Sequence, residues 1–416
     1  MKPYSLAIIF LVLCAQNLYA MDLTEMQALA LNNRQVVRQY MTILEQSEKD
    51  IVRARGGYYP SVDIGYTANF LDQATLLEDR ENSKATGRVS WNLFDGFRDK
   101  YTLLSAEKQK EVEQFRLEGV QQDIQLNVAL AYLAVFERQA NRRVAEAAFQ
   151  TLGKVYRDGE SRYKVGLVDK NELLRFRVDY DNADISLKVA NADLQKSVNA
   201  LSRQVGREIQ LTELDFADFN NLPPQIDRED YIRKMLEKRS EINALKAVIG
   251  ATQASAEAAA SGYYPRVDVV GSYSRFDNDI ATSGLVREDE LRGQLVVSMN
   301  LFQGFTTEAT VARAKLETRS AQYQLEELQN DLTTDLQNLN IDFQVSLDNV
   351  AVAKRSIEQA EENLRITQLK YDEGLQRDSD LLDAITSLSR AKFNYVSVLR
   401  TAFLNNFQLI RMVDGF

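Results

Sequence analysis

The stretch NLFDGF at residues 92–97 recurs as NLFQGF at residues 300–305, 208 positions further along the chain. Two other repeated motifs lie on either side of this one in each half of the chain. GYYP at residues 57–60 recurs at residues 262–265, and YKVGL at residues 163–167 corresponds to YDEGL at residues 371–375. Two copies at such a long period indicate a duplicated half-molecule, because solenoid repeats are only 20–45 residues long.

Each half shows the same order of helical and alternating segments. Residues 22–55 are rich in helix formers and are followed by Gly56, Gly57 and Pro60, which favour a helix end there. Strict alternation of apolar and polar residues then predicts two strands in each half. The four predicted strands are residues 62–70, 87–94, 267–276 and 294–302. The polar segment 71–85 predicts a loop between the first two.

Long helical segments complete each half. From Phe97 to about Gly206, and from Phe305 to about Val413, apolar residues recur at a spacing of three and four, which is typical of coiled-coil packing. One interruption in each segment, near residues 158–166 and near residues 373–374, predicts a helical hairpin. Each arm would have ~50–60 residues, or roughly 80–90 Å at 1.5 Å per residue.

The domain boundaries follow from the repeat. The first repeat is predicted at residues 21–210 and the second at residues 229–416. The intervening linker, residues 211–228, contains Pro223 and Pro224. The pattern as a whole predicts a mainly α protein in which each half runs helix, strand, strand, helix, helix.

Composition excludes several classes of function. The chain has 416 residues and a net charge of −10, so nucleic acid is not an expected partner. It contains no His and a single Cys, Cys14, which argues against a zinc site, a catalytic thiol or a histidine base. The carboxylate pair Asp380 and Asp383 is the only hint of a hydrolase, and nothing else in the chain supports one. We therefore expect no enzyme activity, no cofactor and no bound metal.

The N-terminus has the pattern of an export signal. Lys2 gives a positive start, residues 6–15 are apolar, and Ala20 offers a cleavage site. The apolar run is too short for a transmembrane helix. We predict a cleaved signal peptide at residues 1–20, with a buried N-terminal helix or a lipoprotein cut at Cys14 as alternatives.

The four strands resemble those of an outer-membrane barrel, since each has about ten residues and one apolar face. Four strands cannot close a barrel, because known barrels begin at eight strands. An open strand edge is forbidden in lipid, so several chains would have to share one barrel. The alternative is a small soluble sheet packed on the helices.

The repeated motifs resemble the TolC-type outer-membrane efflux protein family. The GYYP entry to a strand, the NLF-x-GF exit into a long helix, and Tyr371 and Gly374 before the DLLDA run at residues 380–384 carry this resemblance across the mature chain. It implies a homotrimer whose chains share a twelve-stranded membrane β-barrel embedded in outer-membrane lipid. A long helical tunnel would extend into the periplasm of a Gram-negative bacterium.

The resemblance also implies a gate at the hairpin ends. Asp380 and Asp383 would face the pore and form rings of carboxylates, which select and bind cations. Family members hold the gate with a pore-side Asp and Tyr bonded to an Arg. Here Tyr371 matches, but Gln376 stands at the usual Arg position, with Arg377 beside it, and Glu172 is the first-half equivalent of Asp380. These acids could also simply begin helices, where negative charge suits the dipole.

The turns of the hairpins carry a second predicted site. Gly166 and Gly374 suit a left-handed turn, and the apolar Leu167 and Leu375 beside them have no packing reason to lie at a loop end. The family resemblance implies that a periplasmic adaptor (membrane fusion) protein docks on these four residues.

These expectations combine into one predicted function. The chain would be the exit duct for small molecules, such as drugs and toxic compounds, delivered by an inner-membrane pump of the RND, MFS or ABC type. The alternatives are an outer-membrane component of type I protein secretion, or a periplasmic coiled-coil scaffold without a pore.

Overall fold

The computed structural model describes residues 21–73, 80–277 and 289–416. The predicted signal peptide, residues 1–20, lies outside the described residues. Part of the predicted loop at 71–85 does as well. In the part of the chain that is described, none of the helices is both long and apolar enough to cross a membrane.

The two halves have the same order of elements. The first half consists of α1 (Leu23–Asn33), α2 (Gln35–Arg55), β1 (Ser61–Phe70), β2 (Glu81–Phe94), α3 (Arg98–Lys164) and α4 (Lys170–Val205). The second half consists of α5 (Arg228–Lys238), α6 (Ser240–Ala259), β3 (Arg266–Asp277), β4 (Asp289–Ser298), α7 (Thr306–Asp372) and α8 (Asp378–Met412). This order confirms the predicted fold class.

The predicted first helix is in fact two helices. Arg34 adopts an extended backbone conformation with ψ 123°, which ends α1 and begins α2. Its side chain donates to the carbonyl of Arg203 at 2.9 Å, near the end of α4. The residue that separates these two helices therefore also makes a tertiary contact with α4.

The arms of each hairpin are unequal. α3 has 67 residues and α4 has 36, and α7 and α8 have 67 and 35. The prediction of arms of ~50–60 residues was wrong, and α3 alone extends about 100 Å at 1.5 Å per residue. Gly159 does not interrupt α3, because it lies inside the helix, buried against Phe176 of α4. The hairpin turns instead at Gly166, as its φ of +78° allows.

The strands form one antiparallel sheet in the order β1-β2-β3-β4. β2 begins at Glu81, so the predicted loop at residues 71–85 is shorter than expected. β4 begins at Asp289 and ends at Ser298, not at residue 302. The ladder stops there because Ser298 pairs with Arg266, and the preceding Pro265 has no N–H to continue the pairing.

The sheet is not packed on the helices. Its apolar side chains are open on the surface of the chain, with Ile64 of β1 90% exposed and Leu291 of β4 84% exposed. The alternative of a small soluble sheet covered by helices is therefore wrong. β1 and β4 are the two edges of the sheet, and neither edge is paired within the described chain.

The main core lies where the hairpins, α1 and the linker meet. Tyr132, Leu133 and Leu201 are fully buried there. The linker is anchored in this core, because Phe219 is buried and the hydroxyl of Tyr132 donates to the carbonyl of Asp215. A segment that looked like a simple connection in sequence thus covers α3.

A buried ion network fixes the C-terminal end of α8. The Arg411 side chain is 6% exposed and contacts Asp123 of α3 at 2.8 Å, Glu241 of α6 at 2.5 Å, and Asp414. The backbone N–H of Ser240 donates to the same Asp414 carboxylate at 2.6 Å. One arginine therefore connects three helices from both halves.

Candidate functional site: the hairpin ends

The two hairpin turns have nearly identical backbone geometry. Gly166 has φ +78° and Gly374 has φ +73°. The N–H of Leu167 donates to the carbonyl of Arg162 at 2.9 Å, and that of Leu375 donates to Lys370 at 2.8 Å. These bonds close the helix ends in the same way, since only a left-handed residue after the helix permits them. The predicted turn glycines thus occupy equivalent positions in the two halves.

The apolar side chains of both turns point into solvent. Leu167 is 76% exposed, Leu375 is 73% exposed, and Val165 is 69% exposed. Each turn has only five residues, and the described parts of the chain leave these three side chains largely uncovered. Leu167 and Leu375 therefore occupy equivalent exposed positions in the two turns and are not stabilised by packing within the described residues.

A small core joins the two hairpins just behind their turns. Phe176 of α4 and Leu381 of α8 are almost completely buried, together with Tyr371 at the end of α7. Val155 of α3 belongs to the same cluster. All four long helices thus contribute to it, so the ends of the hairpins are packed as one unit.

Arg162 is a site residue that the sequence analysis missed. Its guanidinium lies over the Tyr371 ring at 4.8 Å from the centroid, and its Nη2 is 3.7 Å from Asp372 Oδ1. In sequence it resembles an ordinary cation in the last turn of a helix, as does its repeat equivalent Lys370. The only feature of the sequence that could have pointed to Arg162 is its position one helical turn before the turn glycine.

Tyr371 and Glu172 are affected by one acid that the prediction did not name. The carboxyl of Asp378, in the first turn of α8, acts on both side chains and raises the pKa of each. Burial, followed by the influence of the Asp378 carboxyl, raises the pKa of Tyr371 to about 12. Burial and the same Asp378 carboxyl raise the pKa of Glu172. The predicted Tyr371 and Glu172 are therefore both influenced by the same acid, Asp378.

Asp380 lies apart from this group. Its carboxylate accepts a hydrogen bond from Gln376 Nε2 at 2.7 Å, so the amide binds the acid directly. Arg377 is exposed at the start of α8 and makes no capping bond. Glu172, the repeat equivalent of Asp380, instead forms a capping box with Asp169. The two equivalent acids therefore have different partners.

Asp383 is the exposed acid of the predicted pair, one turn beyond Asp380. Its charge acts on Asp179 of α4, which the sequence analysis did not identify. Burial raises the pKa of Asp179, Arg175 opposes this effect, and the Asp383 carboxylate adds to it. The charges of two acids, one on α4 and one on α8, therefore influence each other behind the turns.

The fold and these hairpin ends define a channel-forming protein of the bacterial outer membrane, built from long helical hairpins and strands. The chain belongs to the outer membrane efflux protein family, whose sequence profile matches residues 27–207 and 231–413. Channels of this family are trimers with a long helical tunnel, and they work with periplasmic adaptors and inner-membrane pumps.

Several characterised proteins are similar to the chain along most of its length. The outer membrane protein TolC of Vibrio cholerae is 24% identical over 371 residues, covering 84% of this chain and 82% of the relative. TolC of Escherichia coli is also 24% identical, over 82% of this chain and 72% of the relative. The cobalt-zinc-cadmium resistance protein CzcC of Cupriavidus metallidurans is 22% identical, over 78% and 76%.

Solved structures share the fold. CusC superposes with a TM-score of 0.83 at 15% identity, covering 95% of this chain and 92% of CusC. The outer membrane protein VceC of Vibrio cholerae gives 0.81 at 18% identity, covering 94% and 96%. The chain is thus an outer-membrane efflux channel of a tripartite export system, with a long periplasmic tunnel. The alternative of a scaffold without a pore is wrong.

Proposed function

We propose that this channel carries small toxic molecules from an inner-membrane pump to the outside. The exposed Leu167 and Leu375 carry the proposal, because they present the same apolar contact at the ends of both hairpins. A helical adaptor that receives cargo from a pump could seat on both turns. Relatives named for efflux and metal resistance support small cargo, and the pump could be of the RND, MFS or ABC type.

We infer that three chains close one barrel. The free edges of β1 and β4 would pair between neighbouring chains and give twelve strands, so that no edge remains exposed to lipid. Apolar side chains on the surface of α4 support lateral contact along the tunnel. Leu174, Val178, Ile185 and Val189 are each more than half exposed in one chain, at a spacing of four, seven and four residues.

Asp380 and Asp383 would then occur three times around the periplasmic end of the tunnel. Carboxylate rings attract and bind cations. Because Asp383 is exposed and Asp380 is half-buried and bonded to Gln376, Asp383 is the stronger candidate for contact with ions in the pore. Tyr371, Glu172 and Arg162 would hold the surrounding helix ends in place.

Cross-linking in cells tests this assignment. Cys14 falls in the predicted signal peptide and the rest of the chain has no cysteine, so a single introduced thiol is unique. A thiol-reactive cross-linker at Glu373→Cys, on the exposed turn beside Leu375, is compared with Lys49→Cys on the exposed side of α2. We expect only Glu373→Cys to capture an adaptor, with an RND or MFS efflux pump recovered alongside.

Other results would change the assignment. A protein-secreting ABC transporter and its polypeptide cargo in the captured complex would favour type I secretion. Equal capture from both sites would show that the turns are not the docking surface. Capture of soluble proteins alone, with the channel absent from the outer-membrane fraction, would contradict the exit duct.

A further inference from the structure

A small aromatic cavity lies where β2 ends and α3 begins. Its volume is about 220 Å³. Four aromatic rings and two carboxylates line it: Tyr58, Trp91, Phe94, Phe97, Asp95 and Asp99. Pockets for drug-sized ligands have volumes of ~300–1,000 Å³, so this cavity suits only a small polar group.

The cavity lies at the end of the apolar face of the sheet. Trp91 pairs in register with Val269, which in turn pairs with Leu295, so the three side chains project from one face. All three are exposed on the surface of the chain. The indole N–H of Trp91 donates to the carbonyl of Tyr58 at 3.1 Å, which ties the ring to the turn before β1. The inference below rests on the proposed barrel, in which this face contacts lipid and a tryptophan marks the edge of the membrane.

The two carboxylates are held in the cavity by close packing. The backbone N–H of Asp99 donates to Asp95 Oδ2 at 3.1 Å. The Asp99 carboxylate lies against Gly57, where a Cβ atom would stand 2.2 Å from Asp99 Oδ1. Burial and the Asp95 carboxylate raise the pKa of Asp99, although Arg98 and Arg266 lower it in part. A cationic ligand would therefore stabilise this pair of acids.

The arginines around the two acids are bound to other groups. Arg266 forms an ion pair with Asp268 at 2.7 Å, and Arg98 donates to the hydroxyl of Ser261 at 3.2 Å. Lys100 lines the same cavity with its side chain exposed. Among the described residues, neither of the two acids in the cavity takes part in an ion pair. Direct contact with a cation of the protein thus does not neutralise them.

The second repeat forms the same turn without these charges. Phe97 and its equivalent Phe305 have φ +69° and +64°, and each ring packs edge-on against the preceding phenylalanine. The three charged positions of the first repeat carry other residues in the second, where Asp95, Asp99 and Lys100 correspond to Gln303, Thr307 and Glu308. The side chain of Thr307 packs against Gly262 as that of Asp99 packs against Gly57. The turn and its packing therefore require neither acid.

We propose that this cavity binds the head group of a membrane phospholipid that carries a primary ammonium and a phosphodiester. The ammonium would donate hydrogen bonds to Asp95 and Asp99 and lie against the aromatic rings. Lys100 would pair with the phosphate, and the acyl chains would follow the apolar face of the sheet. A quaternary ammonium has no N–H to donate, so a choline head group binds more weakly.

The single tryptophan of the chain reports on this cavity. Trp91 is the only tryptophan in the sequence and lines the cavity. Brominated acyl chains quench tryptophan fluorescence on contact. The full chain is reconstituted in phosphatidylcholine vesicles in which a fixed fraction of the lipid is brominated phosphatidylethanolamine or brominated phosphatidylcholine. We expect a roughly five-fold higher relative affinity for the ethanolamine lipid, as one additional ion pair supplies. Equal quenching by the two lipids would overturn the proposal.

The second repeat supplies a matched variant. Asp95→Gln combined with Asp99→Thr copies residues that the same turn already accepts at positions 303 and 307, so the fold should be retained. Trp91 should still be quenched by both lipids, but the preference for ethanolamine should be lost. Asp63→Asn is the control, because Asp63 is an exposed acid on the opposite face of β1, and it should keep the preference. A preference that persists in the double variant would contradict the assignment, and thermal melting confirms that each variant is folded.

The same fluorescence measurements separate this proposal from the proposed barrel. If neither lipid quenches Trp91, this face of the sheet does not contact lipid, and the barrel assignment fails together with the site. If both lipids quench equally, only the head-group site fails. If ethanolamine in the aqueous phase changes the Trp91 emission while both lipids quench equally, the cavity binds a free amine and the phospholipid assignment is overturned.

Discussion

Gly159 of α3 lies directly beneath the ring of Phe176 of α4, so close that a methyl group at residue 159 would stand 2.5 Å from the Phe176 Cδ2 atom. Six residues earlier, Gly153 faces Tyr180 in the same manner, at 3.0 Å. Two aromatic rings of α4 thus fit against two glycines of α3. The absence of side chains there, rather than backbone freedom, lets the two arms approach.

Gly159→Ala should therefore destabilise the protein despite the better helix propensity of alanine. Overpacking a filled site costs ~1–3 kcal/mol, whereas replacing a helical glycine with alanine returns ~1 kcal/mol. Gly250→Ala in α6 is the matched control, because the nearest atoms belong to the flexible Lys108 side chain. We expect the thermal midpoint in detergent to fall for Gly159→Ala and to hold or rise for Gly250→Ala. Equal effects would contradict the packing argument.

Much of the architecture was readable from sequence because repetition and periodicity are local signals. The repeated NLF-x-GF motif and the alternating strands located the elements of both halves. The unequal lengths of the arms were not predicted. In sequence, a glycine that ends a helix cannot be distinguished from one, such as Gly159, that lies inside a helix and packs against an aromatic ring. The break at Arg34 coincides with its contact with Arg203, which no local pattern records.

Removing Arg411 should be far more damaging than removing an exposed arginine. Arg411→Ala would leave Asp123, Glu241 and Asp414 without their shared cation, and breaking a buried pair costs ~3–5 kcal/mol. Arg365→Ala removes only the exposed pair with Glu362 and should cost under ~1 kcal/mol. Thermal denaturation of both variants measures the difference. Similar midpoints would show that the network contributes little.

The same network predicts loss of stability in acid. Burial alone would raise the pKa of Glu241, but Arg239 and Arg411 hold it below its ordinary value. A carboxyl group whose pKa is lower in the folded protein than in the unfolded protein stabilises the fold at pH values above the unfolded-state pKa. This stabilisation is lost as the pH falls through the folded-state pKa. The melting temperature should therefore decrease once the pH is lowered below about 4. In Glu241→Gln the melting temperature should depend less on pH in this range. An equal decrease in acid in that variant would contradict the role of Glu241.

The candidate site could be predicted in part for a similar reason. The positions of the turns follow from the local sequence. The turn glycines and leucines could therefore be identified directly, as Gly166, Leu167, Gly374 and Leu375. The polar partners depend on which helices lie side by side. Arg162 therefore remained unidentified until its position over a ring of the other hairpin was known.

Asp383 should dominate any inhibition of conductance by divalent cations. It is exposed, whereas Asp380 is half-buried and already accepts a bond from Gln376. We expect Asp383→Asn to weaken inhibition roughly ten-fold, or ~1.4 kcal/mol of ion binding, and Asp380→Asn to weaken it less. Single-channel recordings with Mg²⁺ on the periplasmic side test this order. Inhibition unchanged in the double variant would exclude the ring as the cation-binding element.

Polar substitution of the turn leucines should weaken adaptor docking without changing the fold. Leu167→Ser and Leu375→Ser each remove an exposed apolar contact, and truncating such an anchor costs ~1–2 kcal/mol of binding, or about ten-fold. Leu222→Ser in the linker is the control, since it is also exposed but lies away from the turns. Binding of a purified adaptor and drug susceptibility of cells provide two measurements. Equal losses from Leu222→Ser would indicate a nonspecific effect.

A charge within the apolar surface of α4 should weaken the association of the chains. Ile185 is 59% exposed in a single chain, and an apolar side chain of this size is expected to be covered in the assembly. Ile185→Asp would place three carboxylates in the contacts between chains, so sedimentation in detergent should show monomers where the parent is trimeric. Ser186→Asp adds the same charge at the next exposed position, which belongs to another face of the helix, and should leave the trimer intact. If both variants dissociate, the cause is repulsion between the introduced carboxylates and not the loss of the apolar contact. If neither does, α4 is not the surface through which neighbouring chains meet.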